Sequence, residues 1–112
     1  MNLEISEERN RVLVDGKWWR FAKPVLHAKR LGDQILIIFD YMTYPKGKSA
    51  GNLVAFDKTQ NEIWKAEQPI DSGASAYVNF IEESPLKVGN FAGFLCEIDP
   101  HSGKLVDALF TK

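Results

Sequence analysis

Cysteine is almost absent from this chain: Cys96 is the only one in 112 residues. An internal disulfide is therefore excluded, and with two histidines, His27 and His101, there is no ready ligand set for a zinc-type metal centre. An excess of charge is also missing. Fourteen basic residues face 15 acidic ones, for a net charge of −1, which argues against nucleic-acid or anionic-membrane binding through a basic field. Long hydrophobic runs are missing too. The longest, residues 35–39, spans five positions, where a membrane helix needs roughly 20. The first eight residues combine no basic stretch with an apolar one, so no secretory leader is expected and the cytoplasm is the expected location. Finally, no stretch of eleven or more residues repeats apolar positions at helical spacing.

What is present is β structure. Apolar residues make up 45% and aromatics 12% of the chain, enough for one self-sufficient domain with Trp18, Trp19 and Trp64 as the largest core pieces. Short β-branched and aromatic runs bounded by turn residues predict strands near 3–5, 11–14, 17–21, 24–29, 34–40, 52–57, 62–66, 76–82, 86–88, 91–98 and 104–110. Asp15-Gly16 is the strongest two-residue hairpin signal. Gly89-Asn90 predicts another turn. Ile35 to Phe39 is apolar at every position and predicts a central strand buried on both faces. Of neighbouring Trp18 and Trp19, one is expected in the core and the other on the opposite face. Cys96 is expected as a buried, inert thiol. The fold class is all-β: an antiparallel meander of about ten short strands, as a curved sheet, sandwich or half-open barrel.

Two segments read as copies. Residues 52–64 and 94–106 each run from an apolar strand through an Asp and a polar turn into a second apolar strand. Asp15, Asp57 and Asp99 fall at intervals of 42 residues. The expected mechanism is an Asp carboxylate accepting bonds from the following backbone N–H groups, with Asn61 or Gly103 taking the positive φ that closes the hairpin. The pattern apolar-x-Asp-x-x-x-Gly-Lys-apolar resembles the blades of quinoprotein-type β-propellers, best in Asp99, Pro100, Gly103 and Lys104. The whole chain resembles small uncharacterised bacterial single-domain proteins that share such segments. A propeller takes at least four blades, or about 168 residues at this spacing, so a complete ring is excluded. No quinone ligand set carries over, and no cofactor is expected.

Gly47-Lys48-Ser49 lacks the earlier glycine of a phosphate loop, since Met42 stands there, and a strand follows where a helix is needed. Asp99 and His101 lie in one turn, but a turn Asp ordinarily bonds its own backbone. The pairs Glu82-Glu83 and Glu7-Glu8 point to opposite sides of extended chain. No catalytic residues and no metal site are expected, and the protein is read as a non-enzyme.

Two connections exceed what hairpins need, residues 41–51 and 67–75, and long loops in compact β domains are where function concentrates. Tyr41, Tyr44, Lys46 and Lys48 on the first loop are the candidate binding residues, because tyrosine gives contact area at low entropic cost. The expectation is an interaction module that binds a protein partner or itself through this loop and a sheet face. The resemblance adds accessory or immunity-type proteins as an analogy. The alternative is a sugar or nucleotide pocket between the two loops.

Overall fold

A computed structural model describes residues 3–111, which form eleven antiparallel strands in three separate sheets. Strands β1 (Glu4–Ile5), β2 (Arg11–Val14) and β3 (Lys17–Arg20) make the first sheet. Strands β4 (Val25–Leu31), β5 (Gln34–Phe39), β6 (Leu53–Phe56) and β7 (Glu62–Lys65) make the second, in sequential order. Strands β8 (Tyr77–Glu82), β9 (Lys87–Asn90), β10 (Phe94–Ile98) and β11 (Leu105–Phe110) make the third. All three are local meanders, and none closes into a barrel.

Strand β5 is buried on both faces at the middle of its sheet, which is why it carries no polar residue between Ile35 and Phe39. Leu36, Ile38, Leu53, Ala55 and Trp64 pack against Tyr77, Val88, Cys96 and Ile98 of the third sheet and Leu86 in the turn before β9. Ile35, Ile37, Phe39, Val54 and Val25 pack against Val12, Val14 and Trp19 of the first. A single strand with alternating side chains thus serves two cores. Of the tryptophans, Trp19 and Trp64 are buried, while Trp18 is 44% exposed, with Arg11 5.8 Å from its ring centroid. Trp18 is therefore a surface residue and not a core piece.

The three Asp hairpins occupy equivalent places, each being the last two strands of its sheet. The Asp mechanism holds at two of them. Asp57 accepts from the backbone of Thr59 and Asn61 and from the Thr59 hydroxyl, and these donors hold its carboxyl below the usual value. Asp99 accepts from the N–H of His101 at 2.9 Å. Asp15 differs. It takes φ +49 beside Gly16 at +79, the two-residue turn that matches strand twist. Its carboxylate goes instead to the Arg30 guanidinium, at 2.7 and 3.2 Å. In the 57–61 turn the positive φ falls on Gln60 and not on Asn61, whereas Gly103 does take it.

Gly89-Asn90 is not a turn. Both residues lie inside β9, and the reversal comes at 91–93, where Asn90 Oδ1 accepts from Ala92 N–H and Gly93 has φ +100. Gly89 serves close approach: a Cβ there would stand 2.4 Å from Asn79 Oδ1 on the neighbouring strand.

Candidate functional site

The 41–51 loop begins on a defined cap. Asp40 Oδ1 accepts from Met42 N–H, and a 3-10 turn follows over Tyr41–Thr43, with Tyr44 N–H donating to Tyr41 C=O. The loop ends at Asn52, which is fully buried. Asn52 Nδ2 donates to the carbonyls of Phe39 (2.9 Å) and Tyr77 (2.7 Å), and its Oδ1 accepts from Tyr77 N–H at 3.0 Å. One side chain thereby ties the end of β5 in the second sheet to the start of β8 in the third.

The 67–75 loop is pinned to the same place. Ala50 N–H donates to Ser75 C=O, Gln68 Nε2 to Ala50 C=O, and the Ser75 hydroxyl to Gln68 Oε1. Asn90 Nδ2 reaches both Gln68 Oε1 and Ser75 Oγ at 3.3 Å. At the outer end the loops touch backbone to backbone: a Cβ on Gly73 would stand 2.9 Å from Gly47 N, so this contact requires glycine. A buried polar network with its members satisfied fixes one geometry rather than many.

Above this base lies a cleft of about 450 Å³ between the two loops, lined by Tyr41, Met42, Tyr44, Lys46, Lys48 and Phe91, among others. All four candidate binding residues line it. Tyr41 packs on Phe91 with ring centroids 5.5 Å apart. Met42 is 73% and Phe91 53% exposed. Neither residue is among the sequence candidates: Met42 gives no sequence signal beyond loop membership, and Phe91 sits in a turn where the sequence predicts the start of a strand.

Tyr44 differs from its neighbours. It packs against the core between the first two sheets, with Lys23 Nζ 4.4 Å from its ring centroid, and burial raises its hydroxyl pKa. Tyr44→Ala is therefore expected to lose about 2 kcal/mol of stability, as a half-buried aromatic would. Met42→Ala, Lys46→Ala and Lys48→Ala are expected to stay within about 0.5 kcal/mol of wild type. Urea denaturation midpoints check this.

A larger cleft of about 620 Å³ lies among the turns at Leu31–Gln34, 83–86 and 97–101. Three of its four carboxylates are engaged: Asp33 pairs with Lys58 at 3.1 Å, Glu83 with Lys29 at 3.3 Å, and Asp99 holds its own turn, while Glu97 is the fourth. Among the described residues no group of three His, Cys, Asp or Glu is placed to hold a metal ion, and no helix is long and apolar enough to cross a membrane. Cys96 is buried and its thiol pKa is raised by that burial, the opposite of what an attacking thiolate needs.

The family profile of a domain of unknown function, DUF7957, matches residues 2–110. The chain belongs to that family. No curated protein and no solved structure matches this DUF7957 chain.

Buried Tyr77 gives this DUF7957 domain a pH signature. Its hydroxyl donates to Glu67 C=O, and burial, followed by its neighbours Cys96 and Glu67, pushes its pKa up. The unfolded tyrosine ionises near pH 10 while the folded one keeps its proton. Its stabilising contribution is therefore complete below about pH 10 and is lost as pH rises above it. Tyr77→Phe is expected to lower stability at pH 8 by about 1 kcal/mol through the lost hydrogen bond. The same variant should flatten the decline between pH 9 and 11. Urea titrations across that range read both effects.

Proposed function

We propose that this protein is a non-enzymatic interaction module that docks a protein partner on the cleft between the 41–51 and 67–75 loops. The observation that carries the reading is Met42. It stands 73% exposed on a loop whose two ends are fixed by the Asp40 cap and the buried Asn52 bonds. An apolar side chain held out from a rigid base, with Phe91 and Tyr41 beside it and lysines at the rim, has the apolar-centre and polar-rim arrangement of a recognition surface. A cytoplasmic accessory or immunity-type role fits this reading by analogy. The hairpins closed by Asp57 and Asp99 support treating the second and third sheets as blade-like units.

The direct experiment places a photo-crosslinking amino acid at position 42 in the source cell, with one at exposed Leu109 as control. The expected result is one discrete adduct formed from position 42 and absent from position 109. No adduct, or the same smear from both positions, would reject the reading. The cleft's volume favours a second reading, a small-molecule pocket, because about 450 Å³ lies in the usual range for such sites. Native mass spectrometry of the purified protein with a retained low-mass ligand would favour it over the protein partner.

A further inference from the structure

The cleft's charge is one-sided. Its lining includes Lys46 and Lys48 and no Asp or Glu, in a chain whose acidic residues outnumber its basic ones by 15 to 14. Neither lysine has a hydrogen bond or ion pair among the described residues. A third cation stands at the loop's base: Lys23 Nζ lies over the Tyr44 ring and donates to Thr43 C=O at 3.1 Å.

None of the carboxylates carried beside or within the two loops, nor Glu62 near Tyr44, forms an ion pair with these cations among the described residues. Asp40 accepts from Met42 N–H, Glu67 from Leu105 N–H, and Asp71 from the Ser49 hydroxyl. The cleft therefore brings the apolar side chains of Tyr41, Met42 and Phe91 together with the two exposed lysines. Unpaired lysines at a rim select a partner by complementary charge and speed its arrival, and a basic partner would be repelled.

Resting on the docking reading above, we infer that the partner's docking segment is acidic, presenting a carboxylate beside an apolar or aromatic side chain. The apolar group fills the cleft next to Met42 and Phe91, while Lys46 and Lys48 take the carboxylates. The pattern is a chemical class rather than a sequence: Asp or Glu adjacent to Leu, Phe or Trp.

The test pans a random linear peptide display library against the intact chain, and in parallel against Met42→Asp and a Lys46→Glu/Lys48→Glu double variant. Both variants carry changes only at exposed positions, and circular dichroism confirms the fold before panning. The expected result is enrichment of acidic–apolar peptides on wild type alone. In fluorescence anisotropy the leading peptide should bind the double-lysine variant at least about tenfold more weakly, with affinity that falls as salt rises. Enriched peptides that are neutral or basic but require Met42 would overturn the charge inference and leave the docking reading standing. So would acidic peptides that bind the charge-reversed variant equally well. No enrichment, or enrichment indifferent to Met42→Asp, would overturn both.

Discussion

Asn52→Ala is expected to lower stability by about 3–5 kcal/mol, the largest effect of any single polar substitution in the molecule. Its side chain is completely buried and makes three hydrogen bonds, to Phe39 C=O, Tyr77 C=O and Tyr77 N–H. Truncation leaves those three backbone groups inside the protein with no partner from that side chain, at roughly 1–3 kcal/mol for each group that water cannot reach. A domain of this size has only about 5–15 kcal/mol to lose. Asn52→Asp should do no better. It keeps an acceptor for Tyr77 N–H but turns a carboxylate towards two carbonyl oxygens. Guanidinium denaturation of both variants measures this, and a loss under about 1 kcal/mol would mean that Asn52 does not join the sheets.

The second large effect is expected at Gly103, where Gly103→Ala should lose about 2–4 kcal/mol. Two independent causes add. The residue has φ +75, a left-handed conformation in which a side chain costs roughly 1 kcal/mol or more. A Cβ would also stand 2.5 Å from Cε3 of Trp64, whose indole is fixed by a bond from Nε1 to Pro100 C=O at 3.0 Å. Overpacking of that kind costs about 1–3 kcal/mol. A double-mutant cycle with Trp64→Leu separates the two causes. In the Leu background the alanine should cost only the backbone penalty. Equal costs in both backgrounds would show that the indole does not require glycine at 103.

That contact also shows why part of the fold was legible and part was not. The double-sided apolar run of β5 and the Asp15-Gly16 turn are local signals, and the structure follows them. The 42-residue repeat was legible as hairpins. That these hairpins end three separate sheets depends on pairings between distant strands, which no local pattern states. Glycine was the ambiguous letter. At Gly103 it serves both a turn and a close approach to Trp64, while at Gly89 it serves only the approach of Asn79, and the sequence looks the same in both cases. The misplaced turn at 89–90 followed from that ambiguity.

The candidate site was half legible for a similar reason. The length of the 41–51 loop and its Tyr and Lys content pointed to residues that the structure gathers around one cleft. Tyr44's anchorage under Lys23, and the addition of Phe91, arise from packing between elements far apart in sequence. Asn52 gives no warning, since the sequence marks it only as the first residue of the strand expected over 52–57. Its importance is created by Phe39 and Tyr77 arriving on either side of it.

The central claim is that the 41–51 loop is held in one conformation before any partner arrives, and backbone ¹⁵N relaxation on the free protein tests it most directly. The amides of Met42, Thr43, Tyr44 and Ala50 donate to Asp40 Oδ1, Asp40 C=O, Tyr41 C=O and Ser75 C=O respectively. Their order parameters are predicted to lie near about 0.85, the value of rigid backbone, matching Ile35 to Phe39 in β5. Values below about 0.6 at those four amides would show a loop that samples many conformations, and would contradict the account of a pre-formed cleft.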